Sequence, residues 1–368
     1  MKTKRVVVIG AGPAGSAAAM SLTRIGGSEV VLLEKECFPR RKPCGSGLSP
    51  WTLDLLERMD VGRIIRREAY PIRAARILGA NGKGVELRSH MEAAVLLRAR
   101  FDMLLAHEAA RQGARLQEGI CVEELVRDNG RLVGVKTSQG DIETDAVIVS
   151  TGVTGRLSVP PPSRKTLHAI MGWYEGVEDV GDAVELHFDP VVKLYYGWIF
   201  PEGKDRVNIG ICYAPMPGGL NAQQRFQAFL ERLRGRMTHA ARIDRLVGHP
   251  IASSWRPTAP VQHGTILAGE AAALVDPATA EGIYYALASG RIAGEFLGSL
   301  LREGAEPSEA RLSRYSSQLR KQVGPRLMAG QGLLKVLETP VLDFALRFGS
   351  LSLLRLTRAI LSWAFTSA

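Results

Sequence analysis

The stretch VVVIGAGPAGSAAAMSLTRIGGSEVVLLE, residues 6–34, decides the fold of this chain. Residues 6–9 are short, β-branched and apolar on both faces, as a buried parallel strand requires. A glycine turn over residues 10–15 follows, then residues 16–25, rich in Ala, Met and Leu, read as a helix. After Gly26 and Gly27 a second apolar strand, residues 29–33, ends at Glu34. This is a βαβ unit whose turn spells Gly10-x-Gly12-x-x-Gly15, with an acid about 20 positions later. Gly10 permits the tight turn, Gly12 lets a pyrophosphate approach the backbone, and Gly15 lets helix and strand pack closely. The helix start offers N–H groups and a positive dipole end to phosphates, and Glu34 can accept from a ribose 2′-hydroxyl. Strand, turn, helix and acid in this order predict a dinucleotide site.

The rest of the composition sets that unit in a larger frame. A chain of 368 residues is long enough for two lobes at roughly 100–200 residues per domain. With 46% hydrophobic and 23% charged residues it is globular, neither disordered nor collagen-like. Cys37, Cys44, Cys121 and Cys212 form no CxxC pair, which argues against structural zinc and against a disulfide framework, and for a reducing compartment. The net charge of +10 favours anionic partners, yet no basic run of the nucleic-acid-binding kind occurs. The N-terminal apolar run is too short for a signal peptide, and no stretch reaches the roughly 18 apolar residues of a spanning helix. The expectation is a cytoplasmic protein, soluble or peripheral at the inner face of a membrane.

Further along, residues 37–50, CFPRRKPCGSGLSP, form a turn-rich loop in which Arg41 and Lys42 offer charge to phosphates or substrate. Residues 93–113 have helical spacing, residues 115–126 and 132–137 read as strands around an Asn129-Gly130 turn, and residues 146–151 as a buried strand. Residues 157–263 change to strand alternation with Pro and Gly punctuation, a mostly antiparallel sheet. A strand at 265–268, the segment Gly269-Glu270-Ala271-Ala272 and helical sequence from about Gly282 follow. The fold class expected is α/β: a Rossmann-like lobe over 1–156 and 264–300, with 50–95 partly in the other lobe. A mostly antiparallel substrate domain is inserted over 157–263, and a helical region covers 301–368.

Several motifs in this order resemble the geranylgeranyl reductase family of flavoproteins, within the larger p-hydroxybenzoate hydroxylase-like group. They are the Gly10–Gly15 turn, Lys42-Pro43-Cys44-Gly45, Arg98 before Phe101-Asp102, Tyr196-x-Trp198-x-Phe200-Pro201, and GEAAALVDPATAEGI over residues 269–283. The likeness spans about residues 1–300 and implies FAD as cofactor and, for many members, saturation of isoprenoid double bonds. It implies that Gly10, Gly12, Ala14 and Gly15 meet the FAD pyrophosphate, Glu34 and Lys35 the adenosine end, and Val122 the adenine through its backbone. It implies that Cys44, Gly45 and Gly47 cross near the flavin, that Arg98 reaches the cofactor, and that Gly269 and Glu270 bind the ribityl chain. Gly282 and Ile283 then offer N–H groups near the pyrimidine end, where a helix dipole stabilises reduced flavin.

There are departures from the pattern. Glu270 replaces an Asp, Lys193 a proline and Asn208 a glycine, and Ser150-Thr151-Gly152 stands where many flavin hydroxylases have Ala-Asp-Gly, which touches NADPH. The external reductant, NAD(P)H or a ferredoxin-type donor protein, therefore stays open.

Tyr196, Trp198 and Phe200 share one strand face at period two and make an aromatic wall suited to an apolar small-molecule or lipid substrate. Cys44, flanked by cations that favour thiolate, is the candidate catalytic residue as proton donor, nucleophile or redox switch. No metal site is expected, and His168, His187, His239, His249 and His263 read as ordinary surface or core residues. Residues 340–368 set Leu342, Leu353, Leu356, Ile360 and Trp363 opposite Arg347, Arg355 and Arg358, an amphipathic pattern that packs on the protein or lies on a membrane surface. Three readings remain: a reductase of apolar double bonds, an oxygen-using monooxygenase or halogenase on the same fold, and a flavin-bound protein without turnover.

Overall fold

The computed structural model describes residues 3–339, apart from 156, 158–164, 193–194, 216–217, 254–260 and 263. Its first sheet is built around Lys4–Ile9, whose Val6, Val7 and Val8 are fully buried, as a strand covered on both faces must be. The strand order is Val261–Gln262, Thr265–Leu267, Ala146–Val149, Lys4–Ile9, Ser28–Leu33, Arg115–Gln117, parallel throughout except at the Val261–Gln262 edge. Helix Pro13–Ile25 crosses this sheet and packs closely on helix Ile283–Arg302. The two backbones approach through glycine: a Cβ on Gly290 would lie 2.0 Å from the Ala14 carbonyl oxygen, and one on Gly294 2.4 Å from that of Ala18.

Among the described residues, a second sheet of nine strands takes Lys165–Glu175, Ala183–Phe188, Gly197–Pro201, Arg206–Tyr213, Ala241–Arg242 and Val247–Ser253 from the middle of the chain. It also takes Tyr70–Gly79 and Gly84–Val95 from the earlier part, and the short Gly47–Leu48 at its edge. It is antiparallel except where Ala183–Phe188 runs parallel to Tyr70–Gly79. The chain is therefore α/β, a parallel sheet beside a large mixed sheet.

Two sequence expectations shift. Residues 93–95 end a strand, and the helix covers Arg98–Arg111; Ala94 and Val95 pair with Leu48 and Gly47, and that ladder overrides their helical spacing. The expected strand over 115–126 divides into Arg115–Gln117, which joins the parallel sheet, and Val122–Asp128, which opens a separate three-stranded sheet. The Asn129-Gly130 hairpin forms with φ of +47° and +79°, the two left-handed residues a tight hairpin needs. Helix Glu309–Leu337 follows Ile283–Arg302; the amphipathic segment 340–368 and Lys193 lie outside the described residues. Among the described residues no helix is long and apolar enough to cross a membrane.

Candidate active site

A cavity of about 1350 Å³ runs from Glu34 and the glycine turn, between the two sheets, to Leu333 and Leu337 of the last described helix. It exceeds the roughly 300–1,000 Å³ of an ordinary ligand pocket, so it has room for a dinucleotide and an apolar substrate together. At its dinucleotide end, Gly10 holds φ at +96°, and a Cβ there would lie 2.7 Å from the Ser150 carbonyl oxygen. A Cβ on Gly15 would lie 1.8 Å from the Gly10 carbonyl oxygen, so this glycine is forced by packing. At Gly12, the residue preceding helix Pro13–Ile25, a Cβ would meet only Arg40 Nη2, at 3.6 Å. That open cradle at a helix N-terminus fits a pyrophosphate.

Glu34 lies at the end of its strand and accepts from the Ala11 N–H at 3.0 Å. Arg40 bridges Glu34 and Asp102 at 3.1 and 3.0 Å, and Asp102 in turn holds Arg98 through two bonds of 2.7 and 2.9 Å. Burial works against the Arg98 charge, but Asp102 and then Cys44 hold it above its ordinary range. The cationic pair Arg40 and Arg98 thus borders the phosphate cradle. Val122 lines the same end, while Lys35 projects a largely exposed side chain at the rim.

The loop bearing Cys44, Gly45 and Gly47 lies against the large sheet. Cβ atoms on Gly45 and Gly47 would meet the Phe200 ring at 3.2 and 3.1 Å, so residues assigned to cofactor and to substrate touch directly. Cys44 Sγ accepts from the Ser46 N–H at 3.3 Å. Tyr196, Trp198 and Phe200 line one wall in consecutive ring contact, 6.3 Å between centroids at each step. Leu186, Phe188, Met171 and Ile251 extend that wall as an apolar surface. Cys212 also faces the cavity; burial pushes its thiol up to about 12, which keeps it protonated.

Between cofactor turn and wall runs the segment that follows Thr265–Leu267. Gly269 has φ of +63° and donates its N–H to Ser289 Oγ at 2.8 Å. Asp276 Oδ1 accepts from the N–H groups of Ala278 and Thr279, both at 2.9 Å, which shapes the loop before Gly282 and Ile283. Tyr195 and Tyr196 donate to the carbonyls of Pro277 and Thr279, tying this loop to the sheet. Glu281 accepts from Ser49 at 2.5 Å, and burial raises its carboxyl above the usual range.

Glu270 lines the cavity and reaches the large sheet. It accepts from the Ala252 N–H at 3.2 Å and lies 3.9 Å from His249 Nε2, which is 2.6 Å from Lys42 Nζ. Burial alone would raise Glu270, but His249 and Lys42 hold it below the ordinary carboxylate range.

Of the cofactor and substrate residues expected from sequence, all but Gly15 and Gly269 line the cavity. His249, expected to be an ordinary histidine, lines it, because strand Val247–Ser253 pairs with Lys165–Glu175 in the sheet facing the cofactor loop. Arg41, expected to offer charge to a ligand, also lines the cavity, where it pairs with Asp244 and stacks 5.6 Å from the Trp173 ring centre. Sequence reasoning also missed Arg40 and Glu281. Glu281 was legible as the acid beside Gly282, whereas His249 carried no local signal.

The family described as FAD binding domain matches residues 3–149. The chain is 31% identical over 321 residues to the menaquinone reductase of Mycobacterium tuberculosis, covering 80% of this chain and 76% of that one. It is 28% identical over 341 residues to the digeranylgeranylglycerophospholipid reductase of Methanothrix thermoacetophila, covering 88% and 84%. Among solved structures, a geranylgeranyl bacteriochlorophyll reductase-like protein of Thermoplasma acidophilum superposes with a TM-score of 0.84 at 22% identity, over 97% of this chain and 96% of that one. A flavin-dependent brominase superposes at 0.80 with 18% identity, over 98% and 94%; at these identities both show the fold alone.

Proposed function

The chain belongs to the geranylgeranyl reductase family of FAD-dependent oxidoreductases, and from that premise we propose that it reduces carbon–carbon double bonds of an isoprenoid or other apolar substrate. One observation carries the reading: the cavity that begins at the glycine turn continues without a break along an apolar, aromatic sheet face. An apolar chain lying along that face would be next to the flavin.

In this reading Gly10, Gly12, Ala14 and Gly15 take the pyrophosphate with Arg40 and Arg98, Glu34 takes the ribose, and the Val122 backbone meets adenine. Glu270 holds the ribityl region, and the N–H groups of Gly282 and Ile283 face the pyrimidine end. When bound, reduced FAD supplies hydride, and the protein orients substrate and cofactor. Cys44, Gly45 and Gly47 set the flavin against the wall, and Tyr196, Trp198 and Phe200 exclude water and position the chain.

The test is anaerobic. The FAD-loaded protein is reduced with dithionite and mixed with a polyprenyl menaquinone or with digeranylgeranylglycerophospholipid, and return of the flavin colour is followed. Reoxidation without O₂, with a product heavier by two hydrogens in the isoprenoid chain, supports the reading. Reoxidation that needs O₂ and yields hydroxylated or halogenated product overturns it, and no reoxidation by any substrate favours a flavin protein without turnover.

The reading extends to an anionic bilayer as the source of substrate. It is supported by the +10 charge and by the apolar and arginine faces in the sequence pattern of residues 340–368. At about 1 kcal/mol per basic residue near such a surface, a few suffice for reversible docking. Deleting 340–368 should weaken co-sedimentation with anionic vesicles while the flavin stays bound, and high salt should release the intact protein. Absence of vesicle binding at low salt would overturn this extension.

A further inference from the structure

Three parts of the chain meet at one imidazole. Lys42 belongs to the cofactor loop, His249 to an outer strand of the large sheet, and Glu270 to the segment leaving the parallel sheet. Lys42 Nζ lies 2.6 Å from His249 Nε2, and Glu270 Oε2 lies 3.9 Å from that same nitrogen. All three line the cavity, and the His249 and Glu270 side chains are only 14% and 18% exposed. Lys42 thus rests against the imidazole Nε2, with the Glu270 carboxylate near the same nitrogen. An ammonium in a desolvated cavity gives up its proton more readily than one in water.

Cys44 is arranged differently. Its sulfur accepts from the Ser46 N–H at 3.3 Å, within its own loop.

We propose that Lys42 is the general acid of double-bond reduction and that His249 is its positioning residue, an inference that rests on the reductase reading above. Hydride from the reduced cofactor forms one new C–H bond. The Lys42 Nζ–H bond breaks, and its proton forms the second C–H bond on the adjacent carbon as the alkene π pair is consumed. Lys42 is left as a neutral amine and takes a proton back from water. The substrate gains two electrons and two hydrogens, and a nicotinamide or ferredoxin-type donor restores the reduced cofactor. Burial lowers the ammonium from its ordinary range, against Glu270, with Arg98 lowering it further and Cys44 and Asp102 opposing. An acid nearer neutrality than a surface lysine is what such a step needs.

Two measurements on the FAD-loaded protein test this. The first needs no turnover: competitive acetylation with acetic anhydride across pH, read by mass spectrometry, should give Lys42 a lower midpoint than exposed Lys136. Equal midpoints overturn the proposal. The second is anaerobic flavin reoxidation by digeranylgeranylglycerophospholipid, which has no quinone ring to take the electrons, in Lys42→Arg, Lys42→Met, His249→Gln and Cys44→Ser. Arginine keeps the charge but does not release a proton. K42R should keep FAD affinity within about twofold and slow reoxidation by about 10²–10⁴, the usual share of a general acid. H249Q, whose amide oxygen can still accept from Lys42, should be slowed less than K42M, with its pH profile displaced. K42R running within threefold of the unmodified protein, or C44S slowed more than both Lys42 variants, overturns the assignment while leaving the reductase reading standing. If menaquinone and digeranylgeranylglycerophospholipid both fail to reoxidise the unmodified protein, the reductase reading falls and takes this inference with it.

Discussion

The Trp198 indole nitrogen donates to Asn208 Oδ1 at 2.6 Å, across the strand pair that carries the aromatic wall of the cavity. Asn208 is fully buried, and Gly210 on the same strand lies beneath the ring, where a Cβ would come within 2.2 Å of Trp198 Cζ2. Asparagine at the position where the resembled motif has glycine thus fixes the indole plane.

Asn208→Leu should therefore strand a buried indole N–H and lower stability by about 1–3 kcal/mol, the cost of an unpaired buried donor. Denaturant titration with Trp fluorescence checks it, and unchanged stability would mean that the indole finds another acceptor.

The glycine turn separates folding from cofactor binding. Gly12→Val places its side chain in the open cradle and should abolish FAD retention with little change in melting temperature. Gly15→Ala meets the Gly10 carbonyl at 1.8 Å and should lower the melting temperature itself. Flavin content after gel filtration and a thermal scan of each variant distinguish the two outcomes.

Glu185 is an internal anion far in role from the cavity. It accepts from Arg236 at 2.7 Å and Arg76 at 3.2 Å, and pairs with His187 at 3.0 Å. Burial pushes its carboxyl up, but bonds from His187 and Arg236 overcome this and hold it at about 2. A depressed folded value means its stabilisation is complete above the ordinary carboxylate range, near pH 4.5, and is lost as pH falls toward 2. Glu185→Gln should cost about 3 kcal/mol at pH 7, as for a broken buried pair, and flatten that acid limb in urea titrations at several pH values.

Glu281 has the opposite sign. Its folded carboxyl is raised by burial, so the carboxyl-form contribution to stability is present at low pH and is lost as pH rises through its ordinary range and beyond. Glu281→Gln keeps an oxygen for Ser49 to donate to and removes the titration. It should be at least as stable as the unmodified protein at pH 7 and relatively less so at pH 4. Thermal scans at both pH values check the crossing.

The Tyr196 hydroxyl ties the aromatic wall to the Thr279 carbonyl. Tyr196→Phe should cost about 1 kcal/mol, the net worth of such a bond, and weaken FAD binding by freeing the loop before Gly282. A flavin dissociation constant equal to that of the unmodified protein would show that Asp276 holds the loop alone.

By itself the sequence determined the parallel βαβ start, the dinucleotide turn and the period-two aromatic wall, because each depends on residues within a few positions of one another. The spacing of Gly10, Gly12 and Gly15 is a local steric demand, and alternation at Tyr196, Trp198 and Phe200 follows from the pleat of one strand. Only the tertiary structure decided which sheet residues 93–95 and 115–117 join, since ladder partners far along the chain outweigh local propensity there. The same holds for Lys42 and His249, 207 residues apart, and for Arg40 between Glu34 and Asp102. A lone histidine or arginine has no periodicity to betray it; its role appears when strand pairing sets one sheet face against the cofactor loop and shuts water away from the charges between them.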